Sequence, residues 1–403
     1  MLTEQLLVDA RAHAGRIVEL QRAIHAEPEL GLQTPLTLAK VRSELAGLPL
    51  EWREGPSTTG AVAILKGSGP GPTVLLRGDM DALPMEEHTG RPYASTIPGR
   101  MHACVHDAHT AMLAGAARIL AARAGKIPGE IRFMFQPGEE GYHGARFMIE
   151  DGLLGGTADW PLPDAAFALH IMPNSPHGVI AGRDGPMLAA ADQFEIAVSG
   201  RGGHASMPHD ATDPVPVTAE IVLALQSLVT RRYNAAEATV ITVAQMDAGS
   251  AHNIIPDRAV LKGTIRTLSA DRRAAVGTDI ARLAEGIASA HQCTADVQIT
   301  EGFPVTMNDA RAVSLGEAVA AEMAGMQGWH RMPDPIMGAE DFSYVLEKVP
   351  GAMFFLGVAK EGADWKNCCG IHSSRMVVDE KALPKGAAFL AACALRFLDT
   401  GWA

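Results

Sequence analysis

The chain has 403 residues and a formal net charge of −12 at pH 7, with 47% hydrophobic and 20% charged residues. This length predicts two domains, the composition is typical of a globular protein, and the negative charge argues against a nucleic-acid partner. No apolar run reaches the roughly 18 residues of a membrane span, residues 1–20 do not read as a signal peptide, and five cysteines argue against a disulfide framework. We therefore expect a cytoplasmic protein without a membrane partner, whose adjacent Cys368 and Cys369 are reduced thiols.

The first 170 residues show alternating helix and strand patterns, which predict an α/β domain with a mostly parallel central sheet. The predicted helices cover 3–25, 35–46, 107–122 and 142–149, and the predicted strands cover 60–66, 73–77, 131–135 and 165–169. The glycine-rich segment 67–72 joins two strands and lacks the G-x-G-x-x-G spacing, so a dinucleotide-binding loop is excluded.

From about residue 191 the pattern changes to that of a smaller α+β module. Strands are predicted over 193–198, 238–246, 258–268 and 295–299, and helices over 214–231 and 271–291. We therefore predict one domain from 1–190 and 306–403, ending in a helix over 380–398, with a second domain of residues 191–305 inserted into it.

One cysteine and three histidines fall between residues 101 and 109, where the predicted helix 107–122 begins. Cys104 and His106 are two residues apart, so in an extended segment their side chains leave the backbone on the same side. Thiolate and imidazole are ligands for zinc, cobalt, nickel or manganese ions, and His102 and His109 are candidates for contacts beside the metal or with substrate. The alternative is that these side chains are only buried or cap the helix.

Polar side chains also follow three predicted strands at their carboxyl ends, where open α/β sheets place functional sites. Together they supply metal ligands and a spare carboxylate, which is the set that a two-metal hydrolase needs. The chain contains no H-E-x-x-H zinc motif and no G-x-S-x-G nucleophile motif. The residues are Asp79 and Asp81 after the second strand, Glu139 and Glu140 after the third, His170 after the fourth, and His372 near the end of the chain.

Segments 77–84, 101–109, 136–140 and 337–342 resemble the M20 metallopeptidase/amidohydrolase family. The resemblance is to the branch of hippurate hydrolases, aminoacylases and IAA-amino acid hydrolases. It implies a metal-dependent amidohydrolase that cleaves N-acyl or aroyl amino acids with two divalent ions (Zn, Mn, Co or Ni). It also implies that residues 191–305 form a lid through which the chain assembles as a homodimer or homotetramer.

The same resemblance implies roles for individual residues. Glu139 corresponds to the general base, and Asp81, with Asp79 as a weaker candidate, to a carboxylate beside the metals. His204 corresponds to a lid histidine that reaches the partner subunit's site and polarises the scissile carbonyl. The implied metal ligands are Cys104 as the bridging ligand, His106, Glu140, His170 and His372, and the implied substrate-binding residues are Asn253, Arg266 and Gly338.

The chain departs from this branch at two places near the proposed metals. Val105 and Ala108 stand where the cysteine loop usually has glycine, and residues 373–379 differ from the segment that usually follows the last histidine. Alternatives to the amidohydrolase are a dipeptidase or carboxypeptidase on the same scaffold, or a non-catalytic ligand-binding descendant. At the residue level, Glu139 and Glu140 could begin a solvated helix, and His170 or His372 could be structural.

Overall fold

The computed structural model of the protein describes residues 2–360, 362, 364 and 370–402, so Cys368 and Cys369 lie outside the described residues. The chain divides into two compact units. Unit 1 comprises Met1–Met187, Met307–Asp334 and Asp341–Ala403, and unit 2 comprises Leu188–Thr306 and Pro335–Glu340. The sequence assigns residues 335–340 to the larger domain. They belong to unit 2 because the Ala189 amide donates to the carbonyls of Ile336 and Gly338, at 3.1 and 2.9 Å.

Helices and strands are numbered in chain order. Up to the start of unit 2 the described elements are α1 (Leu2–Ala12), α2 (Ala14–His25), α3 (Pro35–Glu44), β1 (Leu50–Glu54), β2 (Ala61–Lys66), β3 (Thr73–Asp79), α4 (His106–Ala121), β4 (Glu130–Gln136), α5 (Gly144–Glu150), β5 (Ala165–Met172), β6 (Ile180–Gly182) and β7 (Gly185–Leu188). Next come β8 (Ala190–Ser199), β9 (Gly203–His204), α6 (Pro214–Arg232), β10 (Thr239–Ala248), β11 (Ile254–Ile255), β12 (Arg258–Thr267), α7 (Ala270–Ala290), β13 (Thr294–Phe303) and β14 (Thr306–Asn308). The chain ends with α8 (Ala310–Ala324), β15 (Trp329–Arg331), α9 (Ser343–Leu346), β16 (Gly351–Gly357) and α10 (Leu383–Thr400).

Unit 1 is an α/β structure with a mostly parallel central sheet, which confirms the predicted fold class. Among the described residues the strand order is β1-β2-β4-β3-β5-β16-β6-β15. The central strands β4, β3, β5 and β16 are parallel, whereas the β1–β2, β2–β4 and β16–β6 pairs are antiparallel. β3 is buried along its whole length, as expected of a strand in the middle of a covered parallel sheet.

Helix α4 lies in the core of unit 1 and begins in the cysteine–histidine segment. Nearly every residue of α4 is buried, and its alanines and glycine allow close packing against α10 and α2. A Cβ atom at Gly115 would lie only 2.8 Å from the Ile17 side chain. Because α4 begins at His106, core packing of this helix fixes where the preceding residues lie.

Unit 2 has a separate hydrophobic core under an antiparallel sheet of order β10-β12-β8-β13. Helices α6 and α7 contribute Ile221 and Ile280 to that core, which also contains Phe194 of β8. β9 and β11 form a small two-stranded ladder in which His204 pairs with Ile254. Among the described residues of either unit, no helix has the length and apolar character needed to cross a bilayer.

Several predicted boundaries are wrong for local reasons. The predicted helix 3–25 is two helices that separate at His13, just before the helix-weakening Gly15. The helix predicted from 142 begins at Gly144, because the backbone at Gly141 and His143 is left-handed. β5 continues to Met172, so His170 lies inside the strand rather than after it. Strands β1, β6, β15 and β16 are present although the sequence patterns did not predict them.

Candidate metal centre

The carboxyl ends of β3, β4 and β5 and the start of α4 bring together the ligand-type residues of unit 1. Cys104, His106 and His170 form one group whose ligand atoms lie within 4.8 Å of one another. Cys104, Glu140 and His372 form a second such group, and the two groups share the cysteine. A thiolate common to two sets of ligands is the arrangement expected for a sulfur that bridges two cations.

His106 lies at the centre of the cluster. Its ring is fully buried, and neither ring nitrogen makes a hydrogen bond among the described residues. Nδ1 lies 3.4 Å from Asp81 Oδ1, while Nε2 lies 3.9 and 4.0 Å from carboxylate oxygens of Glu139 and Glu140. Nε2 therefore faces the side on which a cation could be shared with the glutamates.

Asp81 holds the turn that carries the two glutamates. Its Oδ1 accepts the backbone N–H of Glu139 at 2.9 Å, and its Oδ2 accepts that of Glu140 at 3.0 Å. Gly138 precedes them with φ of +72°, a left-handed conformation that glycine adopts without strain. The two glutamates are thus fixed through their backbone, and Glu139 itself is buried.

The tautomer of His170 suits a residue that coordinates a metal ion through Nε2. Its Nδ1 lies 2.6 Å from the Ile171 carbonyl oxygen and must donate to it, which leaves the lone pair on Nε2. Nε2 lies 3.4 Å from Cys104 Sγ. Burial lowers the pKa of His170 well below its usual value, so the ring is neutral, as a metal ligand must be.

His372 completes the cluster from the C-terminal part of unit 1. Its Nε2 lies 3.2 Å from Glu140 Oε1, and its backbone N–H donates to the Ala103 carbonyl at 2.9 Å. The side chain is 50% exposed, and its backbone is left-handed with φ of +62°. Such strain in a residue other than glycine is often found at functional sites.

The electrostatics of the cluster suit a bound cation. Burial opposes ionisation of Asp79, but Arg77, His106 and His109 outweigh this effect and hold the Asp79 pKa well below its usual range. Burial raises the pKa of the Cys104 thiol to about 12, so the sulfur is protonated unless a cation replaces the proton. Sulfur, imidazole and carboxylate donors, with both His106 nitrogens unsatisfied, fit a divalent transition metal.

Similarity to known proteins extends over almost the whole chain. The family model described as peptidase family M20/M25/M40 matches residues 75–396. The chain belongs to this family. N-acetylcysteine deacetylase from Bacillus subtilis (strain 168) is 36% identical over 392 residues, which are 97% of this chain and 99% of that protein. Thermostable carboxypeptidase 1 from Saccharolobus solfataricus is 38% identical over 401 residues, 98% of this chain and 99% of that protein.

A solved structure agrees with the family assignment. The YxeP protein of Bacillus subtilis, a dinuclear metal binding peptidase from the M20 family, aligns with a TM-score of 0.84 at 32% identity. The alignment covers 97% of this chain and 99% of that chain. The chain is therefore an M20-family hydrolase, and the clustered donors of unit 1 agree with metal dependence.

The implied lid histidine and the implied substrate-binding residues lie in unit 2. His204 is exposed in β9, where its Nδ1 accepts the backbone N–H of Ser206 at 3.1 Å. Asn253 lies beside it, because its carbonyl accepts the Ala205 amide at 3.1 Å. Arg266 is in β12, and Gly338 accepts the Ala189 amide. Their roles toward substrate stay predictions.

Asp341 is a structural residue of the site to which the sequence patterns assign no role, although it lies in the family-like segment 337–342. This carboxylate is fully buried and accepts hydrogen bonds from Arg77, Gln136 and the Ala145 amide at 2.7 to 3.0 Å. It therefore joins β3, β4 and the start of α5, the elements that carry Asp79 and the glutamates. An acid just before a short helix could have suggested a structural role for Asp341. The sequence could not have shown which groups donate hydrogen bonds to it.

Proposed function

We propose that this chain hydrolyses the amide bond of N-acyl or N-aroyl amino acids to a carboxylate and a free amino acid. Two divalent metal ions would be held by Cys104, His106, Glu140, His170 and His372, with the cysteine as the bridging ligand. The two relatives described above support the reaction class, because a deacetylase and a carboxypeptidase both cleave a bond between a carbonyl carbon and nitrogen.

The pair of adjacent glutamates is the observation that carries this proposal. Both are presented to His106 by a turn whose two amides are held by Asp81. Glu140 also faces His372, so it belongs to the ligand cluster. Glu139 Oε2 is 3.9 Å from His106 Nε2, so its carboxylate would lie beside ions held by this cluster, where it could carry a proton.

The residues then divide the work of hydrolysis. The bound ions would supply Lewis acidity, which polarises a carbonyl and makes water nucleophilic at neutral pH. Glu139 would take a proton from the attacking water on one carboxylate oxygen and deliver it to the leaving nitrogen. Asp81 would keep this carboxylate in place through the hydrogen bonds that it accepts from the backbone N–H groups of Glu139 and Glu140. His204, supplied by the partner subunit, would donate a hydrogen bond to the carbonyl oxygen.

The first test compares wild type with Glu139→Gln. We expect about two metal ions per chain in both proteins and a fall in kcat of at least about 100-fold in the variant, because general acid–base catalysis contributes that much or more. Glu150→Gln, at the exposed end of α5, is the matched control and should retain activity.

The substrate class is read from amino-acid release by wild type on N-acetyl amino acids, N-benzoyl amino acids and dipeptides. Preference for dipeptides would replace this proposal with the peptidase alternative. A chain that binds no metal and cleaves none of the three would favour a ligand-binding descendant.

The proposal includes a homodimer or homotetramer assembled through residues 191–305, with a cytoplasmic location. If His204 acts on the partner's site, Glu139→Gln and His204→Ala proteins are each nearly inactive. Subunit exchange between them would then restore activity, because a mixed dimer has one site with both residues. Activity that does not return in demonstrated mixed dimers would contradict action between subunits.

A further inference from the structure

His109 of α4 lies where a metal ligand could lie, but both of its ring nitrogens already make hydrogen bonds. Its ligand nitrogen, one oxygen of Asp79 and one nitrogen of His106 lie within 4.8 Å of one another, a spacing that could hold a cation. The backbone N–H of Ile171, however, donates to His109 Nε2 at 2.9 Å. The ring proton must therefore be on Nδ1, which lies 2.6 Å from Asp79 Oδ1 and donates to it. Neither nitrogen has a lone pair left for a metal.

The His109 ring lies where two neighbouring strands stop pairing. β3 and β5 are paired in parallel from Val74 and Ala165 to Arg77 and Ala168. Beyond Ala168, β5 continues to Met172 with β16 as its neighbour. The His109 ring joins Asp79, the last residue of β3, to Ile171, three residues beyond the last paired residue of β5.

The backbone of Ile171 also orients the neighbouring His170 side chain. Its N–H is held by His109, and its carbonyl accepts the Nδ1 proton of His170 at 2.6 Å. The direction of the His170 Nε2 lone pair, toward Cys104 Sγ, therefore depends on where the backbone of Ile171 lies. We propose that His109, whose tautomer is set by its bond to Asp79, is a positioning residue that holds the end of β5 through the Ile171 N–H and thereby aims His170 at the metal. This inference rests on the metal centre of the proposed function.

The approach of α4 to β3 is what allows this link. A Cβ atom at Gly78 would lie 2.9 Å from the His109 carbonyl oxygen, so only glycine lets the helix come this close. Thr110, the next residue of α4, donates through its hydroxyl to the Asp79 carbonyl at 2.5 Å. Arg77 Nη1 donates to the other Asp79 oxygen at 2.5 Å. Asp79 is thus held by two hydrogen bonds in addition to the one that it accepts from His109.

Two substitutions separate the two hydrogen bonds of His109. In His109→Gln the longer amide places an oxygen near the former Nε2, where it can accept the Ile171 N–H. In His109→Asn the shorter amide places an N–H near the former Nδ1, so the bond to Asp79 remains and the bond to Ile171 is lost. The two variants are matched in polarity and test which bond matters for His170.

The measurement is calorimetric titration of metal-free protein with Zn²⁺, together with thermal melts of each metal-free variant. We expect His109→Asn to bind zinc at least about 10-fold more weakly than wild type, as for other residues that orient ligands, and His109→Gln to stay within about threefold. A purely structural role would lower the melting temperatures and leave zinc affinity unchanged. Unchanged affinity in His109→Asn, or equal losses in both variants, would overturn the proposal.

A second measurement uses wild type alone and does not depend on whether the variants fold. In ¹⁵N-histidine NMR, His109 should show a protonated Nδ1 and an unprotonated Nε2 both without and with zinc. Loss of the Nδ1 proton on zinc binding would make His109 a ligand and overturn the proposal. Neither measurement uses hydrolysis, so a wild type that binds zinc but cleaves no amide would refute the proposed function without affecting this inference.

Discussion

His25 of α2 is a buried histidine with a carboxylate at each ring nitrogen. Nδ1 lies 2.8 Å from Asp107 Oδ2, and Nε2 lies 3.3 Å from Glu87 Oε1. Burial by itself would lower its pKa, but Asp107 and Glu87 outweigh burial and raise the pKa to about 10. The ring is therefore an imidazolium at neutral pH, and it ties α2 to the first turn of the helix that begins at His106.

The charge of His25 predicts a pH-dependent stability. Its pKa rises from 6.5 in the unfolded chain to about 10 in the folded one, so its contribution is complete below pH 6.5 and is lost as pH rises to 10. The difference in free energy of unfolding between wild type and His25→Gln should therefore be largest near pH 6. It should shrink by up to about 1.4 kcal/mol per pH unit between pH 7 and 10.

Urea denaturation at one-unit pH steps measures this difference. His291→Gln is the control, because His291 pairs with Glu220 at the surface of unit 2, and its effect should stay within about 0.5 kcal/mol throughout. A difference between wild type and His25→Gln that does not change with pH would show that His25 is not charged in the folded chain.

Val105 shows what residue types alone cannot predict. The sequence predicts that Cys104 and His106 point the same way because their segment is extended. Their ligand atoms do lie within 4.8 Å of each other, but the segment is not extended. Val105 between them is left-handed, with φ of +65°, a conformation that a β-branched residue rarely adopts. The core overrides this preference, because the residue is only 3% exposed. Local propensity could not have predicted this backbone.

Asp341 connects three secondary-structure elements of unit 1. It accepts from Arg77 of β3, Gln136 of β4 and the amide of Ala145 in α5. Its carboxylate is fully buried, so all of these bonds are made away from water. Removing one partner of a buried charged network leaves the others unpaired, which is costly.

We expect Asp341→Asn to destabilise unit 1 by about 3 kcal/mol or more, since the new amide N–H₂ would face donors. Asp184→Asn is the matched control, because Asp184 pairs with Arg331 at the surface and such pairs contribute about 1 kcal/mol or less. Chemical denaturation followed by tryptophan fluorescence measures both. Similar small losses in the two variants would show that the Asp341 network does not hold the strand ends.

Among the helices and strands, the sequence predicts the long buried elements and misses the short or irregular ones. The strands that carry the glutamates and Asp79 are apolar runs next to distinctive motifs, and their predicted bounds agree with the structure to within two residues at each end. β6 and β15 have three residues each, too few for a periodic signal. β16 is an apolar run, Gly351–Gly357, that could have been predicted by the same criterion as its neighbours.

The pairing of these strands could not be predicted from the sequence for another reason. Which strand lies beside which depends on contacts between residues far apart in the chain. The gap beside β5 that His109 fills exists only because β3 stops pairing at Arg77. The hydrogen bonds of His109 to Asp79 and to the Ile171 N–H could therefore be found only from coordinates.

For the whole molecule, the unfolding of each of the two units can be measured separately. Each has its own hydrophobic core. Every proposed metal ligand lies in unit 1. Two buried cysteines report on the units individually: Cys393 in α10 of unit 1 and Cys293 in unit 2, both free thiols. Burial raises the pKa of both thiols, so they react with alkylating reagents mainly after local or global unfolding.

This arrangement predicts that metal stabilises one unit selectively. A ligand that binds only the folded state stabilises it by about 2.7 kcal/mol at 100 times its Kd. Adding Zn²⁺ or Mn²⁺ to metal-free protein should therefore slow alkylation of Cys393 by about 100-fold and leave Cys293 almost unchanged, and a chelator should reverse the effect. Peptide-resolved mass spectrometry after timed labelling in moderate urea measures both rates in one sample. Equal protection of the two cysteines would mean that the units unfold together, and protection of neither would mean that the clustered donors hold no ion.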